Sequence, residues 1–328
     1  MNQQSSSRIG VLMGGWGEER DVSMKTGEAI ALALEANGHQ VARLFAGPGL
    51  DTTVREAAVD VAFLALHGRM GEDGRVQGLL EVMGIPYTGS GVLGSALAMN
   101  KGVAKKLFRQ HNLATPTGYV VQAARVKDVP SLHADLGFPC VVKPACSGSS
   151  VGLTLVHTRE QLEPAIALAC RFGGEALVER FVKGREVTVA ILDGAVLGTC
   201  EVSHDGSVFD TTTKYDGGAK CHLPPRLPAT RIANIEQMAL TAARALGCRG
   251  AVRVDFIAPE VGNEVVLEVN TLPGMTRVSL FPKIAKAAGV GFEDLVERIL
   301  AGARLDGAHL QEAPAIEREV QVEAAHAG

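Results

Sequence analysis

Apolar and polar positions change period several times along the chain, and each change marks an element. Arg8 to Met13 is mostly apolar (Ile-Gly-Val-Leu-Met after the arginine) and ends on Gly14-Gly15-Trp16-Gly17, which predicts a buried strand closed by a glycine turn. Helical spacing follows over about Ser23 to Ala36, and Asn37-Gly38 stops it. Val41 to Phe45 and Val59 to Leu66 predict two more strands. The second ends at His67-Gly68, and a glycine loop leads into a helix near Val76 to Met83. Strands alternating with helices imply a doubly wound parallel sheet, where ligands bind at strand carboxyl ends.

From about Gly94 the pattern is that of a smaller α+β unit. Two short helical stretches flank Asn100-Lys101, and strands are predicted near Gly118–Val121, Cys140–Lys143, Leu153–His157 and Ala176–Phe181. Helices fit at about Val129–Leu136 and Glu160–Arg171. A third segment opens with Glu186-Val187-Thr188-Val189, includes a polar loop from Ser203 to His222, and continues into a helix near Ile232 to Leu246. Ala251–Ile257 and Glu264–Val269 predict a hairpin, and Phe292–Leu300 a closing helix. The division expected is 1–94, 95–183 and 184–305, with 306–328 as an alanine- and glutamate-rich tail.

Composition narrows the function classes. The 328 residues suffice for two or three domains, and 46% hydrophobic with 21% charged residues suits a soluble globular chain. A net charge of −4 makes no case for nucleic acid or an anionic membrane, so an anionic ligand must be held by a few local cations. The 38 glycines point toward sites lined by backbone. Met1 to Ser7 is polar, with no apolar core for a signal peptide, and no apolar run is long enough to span a membrane. The expected location is the cytoplasm, with the six cysteines, none in a CxxC pair, as free thiols.

The hairpin carries the strongest chemical signal. Alternation in Val252-Arg253-Val254-Asp255-Phe256 puts Arg253 and Asp255 on one face, and Glu268 and Asn270 share a face in the next strand. A turn near Val261-Gly262 sets Asp255 opposite Glu268 and Arg253 opposite Asn270. Carboxylates that close need a cation between them, and a small hard-oxygen set suits Mg²⁺. The same residues are equally one polar face of an exposed sheet, with Arg253 neutralising a carboxylate. Thr271-Leu272-Pro273-Gly274 adds a glycine loop whose N–H groups can meet an anion. Lys143-Pro144 with Ser147-Gly148-Ser149-Ser150-Val151-Gly152 could cover a triphosphate, though it is no Walker A motif, and such a loop alone is more often a turn. Lys101 alone reads as a solvated lysine at a helix start. Glu179-Arg180-Phe181-Val182 reads as an edge-like strand end whose backbone could meet a base. Glu18-Glu19-Arg20-Asp21 complements a helix start, and His67-Gly68-Arg69-Met70-Gly71-Glu72-Asp73-Gly74 follows a strand.

In order along the chain, these segments resemble the D-alanine–D-alanine ligase family. The carrying residues are Gly14-Gly15 with Glu19-Arg20-Asp21-Val22-Ser23, His67-Gly68 with Gly71-Glu72-Asp73-Gly74, and Pro86-Tyr87-Thr88-Gly89-Ser90-Gly91. They continue with Lys143-Pro144, Gly148 to Gly152, Lys214-Tyr215, Gly250 with Arg253 and Asp255, Glu268-Val269-Asn270-Thr271 and Pro273-Gly274-Met275-Thr276. The resemblance implies an ATP-grasp fold, with an N-terminal doubly wound domain and two α+β subdomains clamping ATP. It implies that two D-alanine molecules are joined through an acyl phosphate, for peptidoglycan.

By the same resemblance, Asp255, Glu268 and Asn270 hold two Mg²⁺ (or Mn²⁺) ions, and Lys101, Lys143 and Lys214 contact phosphates. Glu179, Arg180, Phe181 and Val182 receive adenine, and Glu186 the ribose. Glu19 holds the first D-alanine's ammonium, in a network with Ser149 and Tyr215. Ser279 anchors the second carboxylate, His67 is near that pocket, and Arg253 and the Gly274 N–H receive the oxyanion. The loop from Ser203 to His222 is expected to close as a lid, and a homodimer is implied. Asn100 stands where an aspartate is usual, Cys146-Ser147 where a more polar pair is, and Phe181 where tryptophan is frequent. A ligase with a different second substrate and a non-catalytic ATP-binding regulator are the competing readings, but none of the named metal or phosphate ligands is missing.

Overall fold

The computed structural model describes residues 7–129, 133, 135–148, 151–203 and 220–306. Among these, three sheets organise the chain. The first is parallel, of order β2-β1-β3, with β1 Arg8–Gly14, β2 Gln40–Ala46 and β3 Val61–Leu64. Its connections are α1 Arg20–Ala36 and α2 Leu50–Ala57. Alternate residues of the strands face opposite ways. Ile9, Val11, Met13 and Phe63 pack with Ile30 and Leu34 of α1, while Leu12, Leu44 and Leu64 pack with Leu50 and Val54 of α2 and Leu80 of α3 (Arg75–Met83). The sheet is therefore doubly wound, as its alternation predicts.

Helix α4, Val92–Met99, is separated from α5, Lys101–Gln110, by Asn100 alone. Asn100 takes an extended conformation and its side chain accepts from Val103 N at 3.1 Å, a normal N-cap. An asparagine does this as well as the aspartate usual in the family.

The second sheet is antiparallel, in the order β4-β7-β5-β6: Gly118–Gln122, Glu175–Arg180, Cys140–Pro144 and Thr154–Val156. Helix α6, Arg159–Cys170, starts with a capping box between Thr158 and Gln161 and buries Leu162 and Ile166 against Val142 and Val178. The third sheet is also antiparallel, in the order β10-β9-β8-β11-β12: Lys220–His222, Ala195–Ser203, Arg185–Leu192, Ala251–Ala258 and Val265–Asn270. One of its faces meets α7, Ala229–Ala245, through Ile235 and Ala239. The other meets α8, Leu280–Ala287, and α9, Phe292–Ala301, in the same apolar cluster as α1 and β1. Asn37 Nδ2 donates to the Glu293 carbonyl at 3.3 Å, and His39 Nε2 lies 3.1 Å from Glu297 Oε1 across that seam.

Two expectations are corrected. Cys200 on β9 and Cys221 on β10 are joined as a disulfide, because antiparallel pairing brings them onto neighbouring strands; Cys140, Cys146, Cys170 and Cys248 are free. Strand β7 is no edge. It lies between β4 and β5, so the stretch from Glu179 begins inside a sheet. No described helix is long and apolar enough to cross a membrane.

Candidate active site

Strands β11 and β12 pair with Arg253 opposite Asn270 and Asp255 opposite Glu268, as their alternation predicts. Val252, Val254 and Phe256 point into the core, which leaves Arg253 and Asp255 on the other face. The register shifts just beyond Asp255, so the bulge follows the chemical residues rather than separating them. Arg253 Nε and Nη2 donate to the two oxygens of Asp255, each at 2.9 Å, and Thr188 of β8 donates to Oδ1 at 2.6 Å. Lys101 Nζ is 3.1 Å from Glu268 Oε2, and Asn270 Oδ1 accepts from Leu272 N at 3.1 Å. The polar face is thus no solvent-facing ladder: Arg253 and Asp255 have side chains only 14% and 20% exposed.

The donor set decides which metals fit. Among the described residues no group of three or more His, Cys, Asp and Glu could hold an ion. Two carboxylates and one amide oxygen form a sparse, hard set. That suits Mg²⁺ or Mn²⁺, which keep waters and share phosphate oxygens, better than a metal needing a complete protein cage.

One cavity lies between the second and third sheets. Its walls include Lys101, Lys143, Glu179, Arg180, Phe181, Val182, Glu186, Arg253, Asp255 and Glu268, so residues far apart in sequence meet there. Lys101 is not the solvated lysine that its position suggests. Its backbone N–H bonds the Ala145 carbonyl at 2.9 Å, and its Nζ donates to the Ser147 carbonyl at 2.6 Å, which folds it inward. Glu179 is buried, with Lys143 Nζ 2.7 Å from Oε2 and Lys105 Nζ 2.6 Å from Oε1. Burial opposes the Glu179 charge, but the two ammonium groups outweigh it and hold the carboxyl below its ordinary range. Arg180 is tied through its guanidinium to the Asp135 and Leu136 carbonyls, and its backbone N–H donates to the Thr117 carbonyl at 2.8 Å.

A second cavity adjoins the first and shares Lys101, Ser147, Gly148, Arg253, Glu268 and Leu280 with it. Its remaining wall includes Glu19, His67, Glu72, Asn270, Gly274 and Ser279. The Glu19 carboxylate lies against Gly68 and Gly148; a Cβ on Gly148 would stand 2.7 Å from Oε2. Gly68 has φ +67°, and a Cβ there would overlap the same carboxylate, so glycine is required twice over. His67 Nε2 is 3.1 Å from Thr26 Oγ1, and burial pulls its pKa down to about 4, against a backbone hydrogen bond at Leu272. Ser279 Oγ accepts from Thr276 N at 3.2 Å and lies 2.7 Å from Thr276 Oγ1, beside Gly274 at the start of α8.

Glu72 is the residue that sequence reasoning did not single out. It is buried, accepts from Gly68 N at 2.6 Å and Leu272 N at 3.3 Å, and is pushed up to about 8 by burial and then by nearby Glu19. Its signal was its place two residues before Gly74 in the glycine loop, where a carboxylate reads as ordinary turn chemistry. Ser149, Lys214 and Tyr215, and the greater part of the loop from Ser203 to His222, lie outside the described residues.

Two family models match the chain. Residues 46–90 match the D-ala D-ala ligase N-terminus and residues 107–301 the D-ala D-ala ligase C-terminus. The chain is 48% identical over 306 residues to a D-alanine–D-alanine ligase of Geobacter sulfurreducens, covering 93% of this chain and 96% of that one. It is 48% identical to one of Anaeromyxobacter dehalogenans, covering 93% and 99%. Among solved structures, it is similar to the Bacillus anthracis D-alanine–D-alanine ligase complexed with ATP, with TM-score 0.78 and 33% identity over 90% of this chain and 97% of that one. It also resembles the VanG D-Ala:D-Ser ligase of Enterococcus faecalis, with TM-score 0.79 and 29% identity over 90% and 99%.

Proposed function

The chain belongs to the D-alanine–D-alanine ligase family, and from that premise we propose how its adjoining cavities divide the ATP-dependent joining of two D-alanine molecules. The ligase makes the dipeptide that enters peptidoglycan. The observation that carries the division is the shared wall: Arg253, Glu268 and Lys101 face both cavities at once. A phosphoryl group leaving one cavity meets a carboxylate held in the other.

ATP takes the cavity between the second and third sheets. Adenine lies at the end of β7, along Glu179 to Val182, and Glu186 takes the ribose. Lys101 and Lys143, now paired with Glu268 and Glu179, receive phosphate oxygens. Lys214 is expected to join them. Asp255, Glu268 and Asn270 would hold two Mg²⁺ ions, which when bound neutralise the charge of the transferring phosphoryl group.

The first D-alanine sits in the second cavity with its ammonium on Glu19. Burial pushes Glu72 up to about 8 and His67 down to about 4, which favours the neutral form of both beside Glu19. Ser149 and Tyr215 are expected to complete that network. The D-alanine carboxylate attacks the γ-phosphoryl group to give an acyl phosphate and ADP. The second D-alanine, its carboxylate at Ser279 and its body near His67, attacks the acyl carbon through its amine and displaces phosphate. Arg253 and the Gly274 N–H receive the negative charge of the tetrahedral oxygen. A homodimer in the cytoplasm completes the reading.

Phosphate release tests it. D-alanine alone should support turnover, with D-alanyl-D-alanine as product. The similarity to a D-Ala:D-Ser ligase favours one rival, a different second substrate. Release that needs added D-serine or D-lactate would replace the present assignment with that one.

A further inference from the structure

One buried cation takes no part in the steps above. Lys105 lies on α5 one turn beyond Lys101, with only 2% of its side chain exposed, and the nucleotide cavity's wall does not include it. Its Nζ is 2.6 Å from Glu179 Oε1, while Lys143 holds the other oxygen at 2.7 Å. Lys105 also donates to Thr115 Oγ1 at 2.8 Å, and that hydroxyl donates to the Val266 carbonyl of β12 at 2.9 Å. The chain from β7 through Lys105 and Thr115 to β12 therefore ties the second sheet to the third behind the cavity. Lys143, in contrast, faces the cavity itself.

Glu179 thus has one cation that can turn to a ligand and one that is anchored. If Lys143 alone neutralised it, every move of Lys143 toward phosphate would strand a buried carboxylate. Breaking a buried pair from one side is strongly unfavourable, because the remaining charge has neither water nor partner. We propose that Lys105 is a positioning residue of the nucleotide site: it stays with Glu179 while Lys143 changes partner to the phosphates of ATP. The proposal rests on the reading that this cavity takes ATP. It adds an exchange in which two lysines share one carboxylate and only one of them serves the ligand. Lys105 also keeps Glu179 ionised and in place at the adenine end of the cavity.

The test is calorimetric binding of ADP, with steady-state kinetics beside it. Lys105→Met should weaken ADP binding and raise the ATP KM by about 10- to 100-fold, with the D-alanine KM within about 2-fold of wild type. Adding Glu179→Gln removes the charge that Lys105 neutralises, so the double variant should bind ADP within about 2-fold of Glu179→Gln alone. Wild-type affinity in Lys105→Met would overturn the proposal. So would a double variant weakened relative to Glu179→Gln by the full single-variant factor, since Lys105 would then act independently of Glu179. Should Lys105→Met not fold, the comparison of Glu179→Gln with the double variant decides alone. A wild-type protein that fails to bind ADP would instead remove the nucleotide reading beneath the proposal.

Discussion

The two cavities share a wall and handle charge in opposite ways. In the nucleotide cavity charge is kept in pairs: Arg253 with Asp255, Lys101 with Glu268, and Lys143 with Glu179, which Lys105 holds from behind the wall. On the substrate cavity's own side, burial acts on two groups near Glu19, lowering His67 to about 4 and raising Glu72 to about 8, while Arg253, Lys101 and Glu268 belong to both walls. The difference follows from the ligands. A polyanion and its cations can take over existing ion partners one for one. A single ammonium is recognised more readily where the buried groups close to its carboxylate partner, here His67 and Glu72, are held neutral.

The sharpest way to break the comparison is Glu268→Gln, which removes one charge from the wall common to both cavities. Turnover should fall by about 1,000-fold or more. An activity within about 10-fold of wild type would mean that the paired charges are structural only. Gly68→Ala addresses one cavity. A side chain at φ +67° is strained by about 1 kcal/mol and pushes against the Glu19 carboxylate. The D-alanine KM should rise by about 10-fold while ADP binding is unchanged, and equal losses in both would show that the cavities are not separable.

A third test reads stability rather than turnover. Glu72 holds its proton in the folded protein up to about pH 8 but releases it at ordinary carboxyl values when unfolded. Between those values the folded state binds more protons, so this residue makes stability fall as pH rises, and the loss is complete only above about pH 8. Glu72→Gln should flatten that fall in thermal melts taken from pH 5 to 8. A variant whose melting temperature tracks wild type across the range would show that Glu72 is not held protonated.

Much of the site was legible because alternation is a local rule. Arg253, Asp255, Glu268 and Asn270 declare their faces through their valine and phenylalanine neighbours, and the turn at Val261-Gly262 sets the register. Lys101 was not legible in this way. Its burial comes from the Ala145 and Ser147 carbonyls, which the sequence places more than 40 residues away. Lys105, one helical turn from Lys101, carries no sequence signal, because its partner Glu179 comes to it only through β7. The same holds for elements. Helix α2 is eight residues long with two adjacent threonines, and α8 carries Pro282 in its first turn, where proline is tolerated but hides the helical pattern. Strand β9 lacks clear alternation and gains its definition from β8 and β10 on either side.

The seam between α1 and α9 has a consequence for how such a chain can be cut or recombined. Ile9, Met13 and Leu34 share their apolar cluster with Phe281, Ile284 and Leu295, so the beginning and the end of the chain finish each other's interior. A fragment lacking the first sheet would leave greasy helices facing water, and a transplanted amino-terminal half would need a matching carboxyl-terminal pair of helices. The first sheet and the last two helices therefore have to be kept or exchanged together.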